Sequence, residues 1–149
     1  MGTRRRAREA ALQFLFQDDF LDRGKSTNAA ALDERFDAFS LLYQVNKKAR
    51  PYARTLIGGI FEKLEEIDGA IGVYATNWRL ERIAATDRNL LRVAIFELFF
   101  RDDVPAQVAI NEAVEIAKRF GTQESPAFIN GVLDAVQQSR QQTQPDDSE

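Results

Sequence analysis

The sequence contains no cysteine and no histidine. Disulfides, thiolate nucleophiles, imidazole acid–base catalysis and the usual zinc sites are therefore excluded at the outset. No run of 18 apolar residues occurs, so no membrane-spanning helix is expected. Gly-rich phosphate loops, nucleophile elbows and clusters with metal-ligand spacing are missing as well, and no stretch alternates in the manner of a strand. A positive global field is also lacking. The formal charge is -3 and the sequence pI about 5.1, so any binding of nucleic acid must come from a local basic patch.

What is present is enough apolar material for one well-filled core and too little for two: 149 residues, 44% hydrophobic and 10% aromatic. The stretch DRNLLRVAIFELFFR, residues 87–101, is apolar nearly all round a helix, with Leu91, Ala94, Ile95 and Leu98 on one side and Leu90, Val93, Phe96 and Phe100 over much of the rest. Such a helix is buried and needs amphipathic partners on several sides. Glu97 and Arg101 stand four apart in the order that favours a surface ion pair, and Asp87 lies in the first turn, where the helix dipole favours negative charge.

The partners lie before and after it. Arg4 to about Phe20 reads as a helix with Ala7, Ala11, Phe14, Leu15 and Asp18 on one side. Leu21 to Asn28 reads as a loop, and helix resumes from about Ala30 to Gln44. Pro51 fits the first turn of a third helix, in which Gly58 and Gly59 are expected to permit a close crossing, and the pattern continues from Asp68 to Trp78 with a bend. A short helical turn in RLERIAATDR leads into the central helix, which Asp102, Asp103 and Pro105 end. Ile110, Ala113, Val114 and Ala117 mark a further helix that stops at Gly121. Ser125 before Pro126 reads as an N-cap opening the last helix, in which Gly131 is expected to allow close approach and Asn130 to bond a neighbouring backbone. The reading is one all-α helical domain over residues 1–139, followed by an acidic, proline-broken tail over 140–149 that is expected to be disordered.

Catalysis finds no foothold in these residues. Asp102 and Asp103 are adjacent carboxylates, but sequence neighbours at a helix end face different ways, so they read as turn and solvation residues. No enzyme, cofactor or metal is expected. Arginines and aromatics on a helical frame remain. Arg4, Arg5, Arg6 and Arg8 crowd the start of the first helix, where positive charge opposes the dipole, a local cost of the kind that often marks function. They can neutralise phosphates, and an exposed aromatic such as Phe128, in the first turn of the last helix, can stack on a base. The competing reading makes the arginines a solvated helix end and Phe128 a core residue. Trp78 reads as core, because it sits where two helices must join.

An N-terminal RRRARE, followed in order by NWRLERIAATDRNLLRVAIFEL, VPAQVAINEAVEIAKRFG and SPAFINGVLDAV, closely resembles the NusB family of transcription antitermination factors. The resemblance runs from Arg4 to Val136 and is weakest over residues 24–44. It implies an all-helical fold of about seven helices in two small packed subdomains. It also implies a cytoplasmic adaptor that binds the boxA element of ribosomal RNA transcripts together with NusE, a small-subunit ribosomal protein, and so joins the antitermination complex on RNA polymerase. By this similarity Arg4, Arg5, Arg6 and Arg8 match the family's arginine-rich RNA-binding motif, and Glu124 and Phe128 match positions at its RNA surface. Phe16, Glu81, Arg82 and Asp87 match positions on the face that receives NusE. Phe16 stands where a tyrosine is familiar, and Glu124 where an aspartate is.

The rival from another class is a helical protein-interaction module with no RNA ligand. A third reading, the accessory domain of an RNA cytosine methyltransferase, ranks behind both because no cofactor-binding domain lies within these 149 residues. Self-association is a further expectation: an apolar side of the first helix that included Phe14 and Leu15 beside Phe16 would suit a second copy in a homodimer.

Overall fold

The computed structural model describes residues 2–21, 28–76 and 79–143. Among these residues there are seven α-helices, one 3-10 turn and no strand. They are α1 (Thr3–Leu21), α2 (Ala29–Leu42), α3 (Arg50–Glu62), α4 (Leu64–Tyr74), a 3-10 turn (Leu80–Arg82), α5 (Ala85–Phe100), α6 (Ala106–Phe120) and α7 (Ser125–Thr143). Helix α7 thus continues four residues beyond the Ser139 boundary expected for the tail. Trp78 and most of the loop expected after Leu21 lie outside the described residues.

Helix α5 is the hub. Residues Asn89 to Leu98 are all buried, and the helix packs against α1, α3, α4, α6 and α7. Each fully buried Leu or Ile here, such as Leu90, Leu91 and Ile95, contributes roughly 1.5 to 3 kcal/mol of transfer free energy. The group α1–α3 and the group α4–α7 meet across α5 in one continuous apolar cluster. Helix α2 closes the far side by laying Phe36 and Phe39 edge-on against Phe14 of α1, with ring centroids at 5.7 and 5.4 Å. Phe14 and Leu15 are therefore each only 4% exposed, so of the apolar surface expected to suit a second copy these two are covered by the chain itself and Phe16 remains exposed.

Several local expectations change for physical reasons. The bend expected past Asp68 falls at Lys63 (φ -109°, ψ 21°), which separates α3 from α4. The two adjacent glycines of α3 have different roles. A side chain at Gly59 would run into the Phe96 ring of α5, so the close crossing is real there, whereas Gly58 faces open space. Gly131 also faces open space, and Asn130 donates to the Asp134 side chain at 3.3 Å and not to a neighbouring backbone. Gly121 does end α6, but its φ of -96° is open to any residue. It is needed because the Ser125 side chain packs against the place a Cβ would occupy. Ser125 is buried, and its hydroxyl accepts from the Thr122 N–H at 2.9 Å, so it fastens the α6–α7 turn and does not cap α7 forwards.

Candidate nucleic-acid interface

The first two turns of α1 project their arginines in different directions, and a helix turning 100° per residue requires this. Arg8 continues the stripe of Leu12 and Leu15 into the core. It is 4% exposed; its Nε donates to both carboxylate oxygens of Glu97 at 2.9 Å, and Nη1 donates to Glu112 at 3.3 Å. Glu97, 1% exposed, also accepts the phenol of Tyr52 from α3. This corrects two expectations. Glu97 does not pair with Arg101 on the surface, and Arg8 does not stand at the surface with the arginines expected to meet phosphates. A charged group on the buried face of a helix must find a buried partner, and this pair is that solution. Burial pushes the Tyr52 phenol well above its usual range, and its hydrogen bond to Glu97 pushes the same way.

Arg5 is half-buried and makes a two-pronged contact with Glu112 of α6, at 2.8 and 2.6 Å. Arg4 is exposed; it donates to Asp103 at 2.8 Å and lies over the Tyr52 ring, 4.3 Å from its centroid. Hydrogen bonds from these arginines hold the Glu112 and Asp103 carboxyls below the usual carboxylate range, with Arg101 adding to the effect at Asp103. The carboxylates that α1 lacks in its own first turn are therefore supplied by α6 and by the α5–α6 turn, which offsets both the dipole and the arginine charge. Arg6 is exposed and makes no side-chain ion pair among the described residues. Between α1 and the α5–α6 turn lies a cleft of about 360 Å³ whose walls include Arg4, Arg5, Asp103, Pro105 and Glu112.

A second cavity, of about 260 Å³, opens where the 3-10 turn and the start of α5 meet the start of α7. Arg82, Asp87, Glu124 and Phe128 all line it. The structure therefore brings together residues that the family resemblance divides between the NusE face and the RNA surface. Phe128 is half-buried, with part of the ring packed on the core and part facing the cavity, so neither a pure core role nor a fully exposed one describes it. Glu124 is exposed beside it, and Glu81 and Arg82 are exposed on the 3-10 turn. Asp87 is in the first turn of α5 as expected, with its Oδ1 shut off from solvent and accepting no hydrogen bond among the described residues.

Phe16, 39% exposed, lies elsewhere, in a cavity of about 480 Å³ lined also by Leu12, Phe39, Tyr43, Thr86 and Phe120. Thr86 and Asp87, neighbours in the first turn of α5, stand one in each cavity. Phe16 is eleven residues along α1 from Arg5, about 16 Å at the α-helical rise. Glu9, which Arg119 of α6 meets at 3.2 Å, lies between them. The sequence reading passed over Glu112 and Arg119, and gave Arg101 and Asp103 other roles, a surface pair with Glu97 and a helix end. Their partners are on α1 or in their own turn, and periodicity within a helix carries no signal for such pairs.

No group of three or more acidic side chains that could hold a metal ion occurs among the described residues, and none of their helices is long and apolar enough to cross a membrane. The fold and these surfaces define an all-helical binding protein with an arginine-bearing helix start, a largely apolar cavity at Phe16 and a mixed one at Phe128. Comparison with known proteins makes the assignment specific. A model of the NusB family matches residues 5–138, and the chain belongs to that family. It is 63% identical over 136 residues to transcription antitermination protein NusB of Desulfotalea psychrophila, covering 91% of this chain and 96% of that protein. It is similar to the solved structure of NusB from T. maritima (43% identity, TM-score 0.74, 91% of this chain and 90% of that one). It also resembles a chain in the crystal structure of antitermination factors NusB and NusE in complex with dsRNA (27% identity, TM-score 0.78, 93% and 98% covered).

Proposed function

We propose that this protein is a transcription antitermination factor, a non-enzymatic adaptor that binds the boxA RNA of ribosomal RNA transcripts together with NusE and helps load the antitermination complex on RNA polymerase. The observation that carries this reading is the match over nearly the whole chain to NusB, including a NusB solved with NusE and double-stranded RNA. The protein acts in the cytoplasm, where those transcripts are made.

On the RNA side, Arg6 meets phosphates directly, Arg4 and Arg5 do so by exchanging their carboxylate partners, and Phe128 with Glu124 meets a base. Arg8 serves the same surface from inside, by fixing the pitch and position of α1. On the partner side, Phe16, Glu81, Arg82 and Asp87 receive NusE. Because Arg82 and Asp87 share a cavity with Phe128, RNA and partner touch one another at that point, which suits a protein that binds both at once. The pairing of Arg4 and Arg5 with carboxylates is the one feature that favours a protein-interaction module without RNA.

A binding assay with a labelled boxA RNA, with and without NusE, separates the two readings. RNA binding that NusE strengthens is expected. It should be lost when Arg5 and Arg6 are both changed to glutamate, and the salt dependence should fall by roughly 0.7 in slope for each lost single-strand phosphate contact. A folded protein that binds NusE but not RNA would establish the interaction module instead.

A further inference from the structure

Asp103, in the turn between α5 and α6, does more than end a helix. Its Oδ2 accepts from Arg4 at 2.8 Å and from Arg101 at 3.1 Å, so two guanidiniums from separate parts of the chain converge on one anionic oxygen. Both lie against the Tyr52 ring, with their central carbons 4.3 and 5.2 Å from its centroid. The ring is itself fixed, because its hydroxyl donates to Glu97 and Glu97 is held by Arg8. Arg101 has a further donor, Nε, that is shut off from solvent and has no acceptor among the described residues. Asp103 is half exposed and can swing into water at little cost, while the two arginines keep their seats on the aromatic ring.

We propose that Arg4 and Arg101, seated on Tyr52, form a binding position for one backbone phosphate of the RNA, and that Asp103 occupies this position as an internal stand-in until RNA displaces it. The inference rests on the RNA-binding reading above and adds Arg101 and Asp103 to it. A phosphodiester and a carboxylate present the same chemistry to a guanidinium pair, a singly charged oxygen acceptor, so the exchange leaves the charge at the site unchanged. A lone anion gains little by it, since Asp103 already satisfies both arginines. A strand anchored at Arg6 presents its next phosphates at high effective concentration, so the position favours a polyanionic strand over small anions. The adjoining cleft leaves room for the strand beside Arg4.

The test is a salt series of RNA affinities for the full chain and for Asp103→Asn, Asp103→Ala and Arg101→Gln, each checked for an unchanged melting temperature. Removing the stand-in should tighten binding about two- to fivefold, the scale on which an exposed ion pair competes. It should also steepen the salt slope by up to about 0.7. Arg101→Gln should weaken binding and cancel the gain when combined with Asp103→Asn. Equal or weaker binding by both Asp103 variants, with Arg6 still required, would overturn this inference alone, because Asp103 would then only position Arg4. Absence of RNA binding by the unaltered chain would overturn the functional reading and this inference with it.

Discussion

At the start of α1 three of the four arginines, Arg4, Arg5 and Arg8, are already paired with carboxylates, whereas at the start of α7 part of the Phe128 ring lines a cavity. Both regions belong to the surface assigned to RNA and NusE. On the proposed reading a phosphate at the arginine end must exchange with a carboxylate, so its net gain should be the small difference between two ion pairs in water. At the aromatic end no ion pair has to break, and a base stacked on the Phe128 ring would add a full contact. The arginine end should therefore supply charge sensitivity and the α7 end most of the net affinity. Residues of one type within the arginine end differ just as much, since Arg6 faces water and Arg8 faces the core.

The largest effect should come from breaking that internal contrast. Arg8→Gln leaves Glu97 charged and unpaired in the core, which typically costs about 3 to 5 kcal/mol. In a protein of this size the melting temperature should fall on the order of 10 °C. Replacing Arg8 and Glu97 together by apolar residues of similar volume should recover much of the loss in a thermal scan. If the single variant melted like the parent, the interior role given to Arg8 would be wrong.

At the other end, Phe128→Ala should weaken RNA binding by about 1 to 3 kcal/mol, the range for one stacked base. Because the ring is only half-buried, the stability loss should stay below the ~3 to 5 kcal/mol of a core phenylalanine. Calorimetric titration with RNA, set beside a denaturant melt, gives both numbers. A loss confined to stability would make Phe128 a packing residue and remove the asymmetry between the two ends.

A smaller effect distinguishes two acidic residues on the partner side. Glu81→Lys, out on the 3-10 turn, should slow association with NusE severalfold and leave binding of RNA alone unchanged. Asp87→Lys should disturb both ligands, because its cavity is shared with Phe128. Identical profiles for the two variants in kinetic binding measurements would show that the shared cavity has no consequence.

The smallest effect concerns pH. The folded-state pKa values of Asp103 and Glu112 are lowered by their arginines, so their contribution to stability is present above the ordinary carboxylate range and is lost as pH falls through the lowered values. Melting temperatures taken below about pH 4 should therefore fall less steeply for Glu112→Gln than for the unaltered chain. Parallel curves would mean that the pairing adds nothing to folding.

Much of this architecture was legible in the sequence, because helices announce themselves by period: the burial of α5, the stop before Pro105 and the α6 stripe all follow from spacing. The pairs were not legible. Glu97 stands four residues before Arg101, and local spacing alone favours that partner. The buried Arg8 outcompetes it only because α1 is laid across α5. A signal did exist, since Arg8 lies on the stripe of Leu12 and Leu15 whereas Arg6 lies on that of Gln13 and Gln17. The role of each glycine of α3 depended on which one met Phe96, a tertiary fact that propensity does not carry. The shared cavity of Arg82, Asp87, Glu124 and Phe128 joins segments about 40 residues apart, and family resemblance had placed them on different faces.

RNA binding by α1 depends first on Arg6, the arginine of the cluster that faces solvent with no ion pair among the described residues. Its decisive measurement is the affinity of Arg6→Gln for boxA RNA across a salt series, read beside its melting temperature. A weaker complex with the salt slope reduced by about 0.7 and an unchanged melting temperature is the predicted result. Undiminished affinity with an unchanged slope in that folded variant would contradict the claim that α1 meets RNA through its outward arginine.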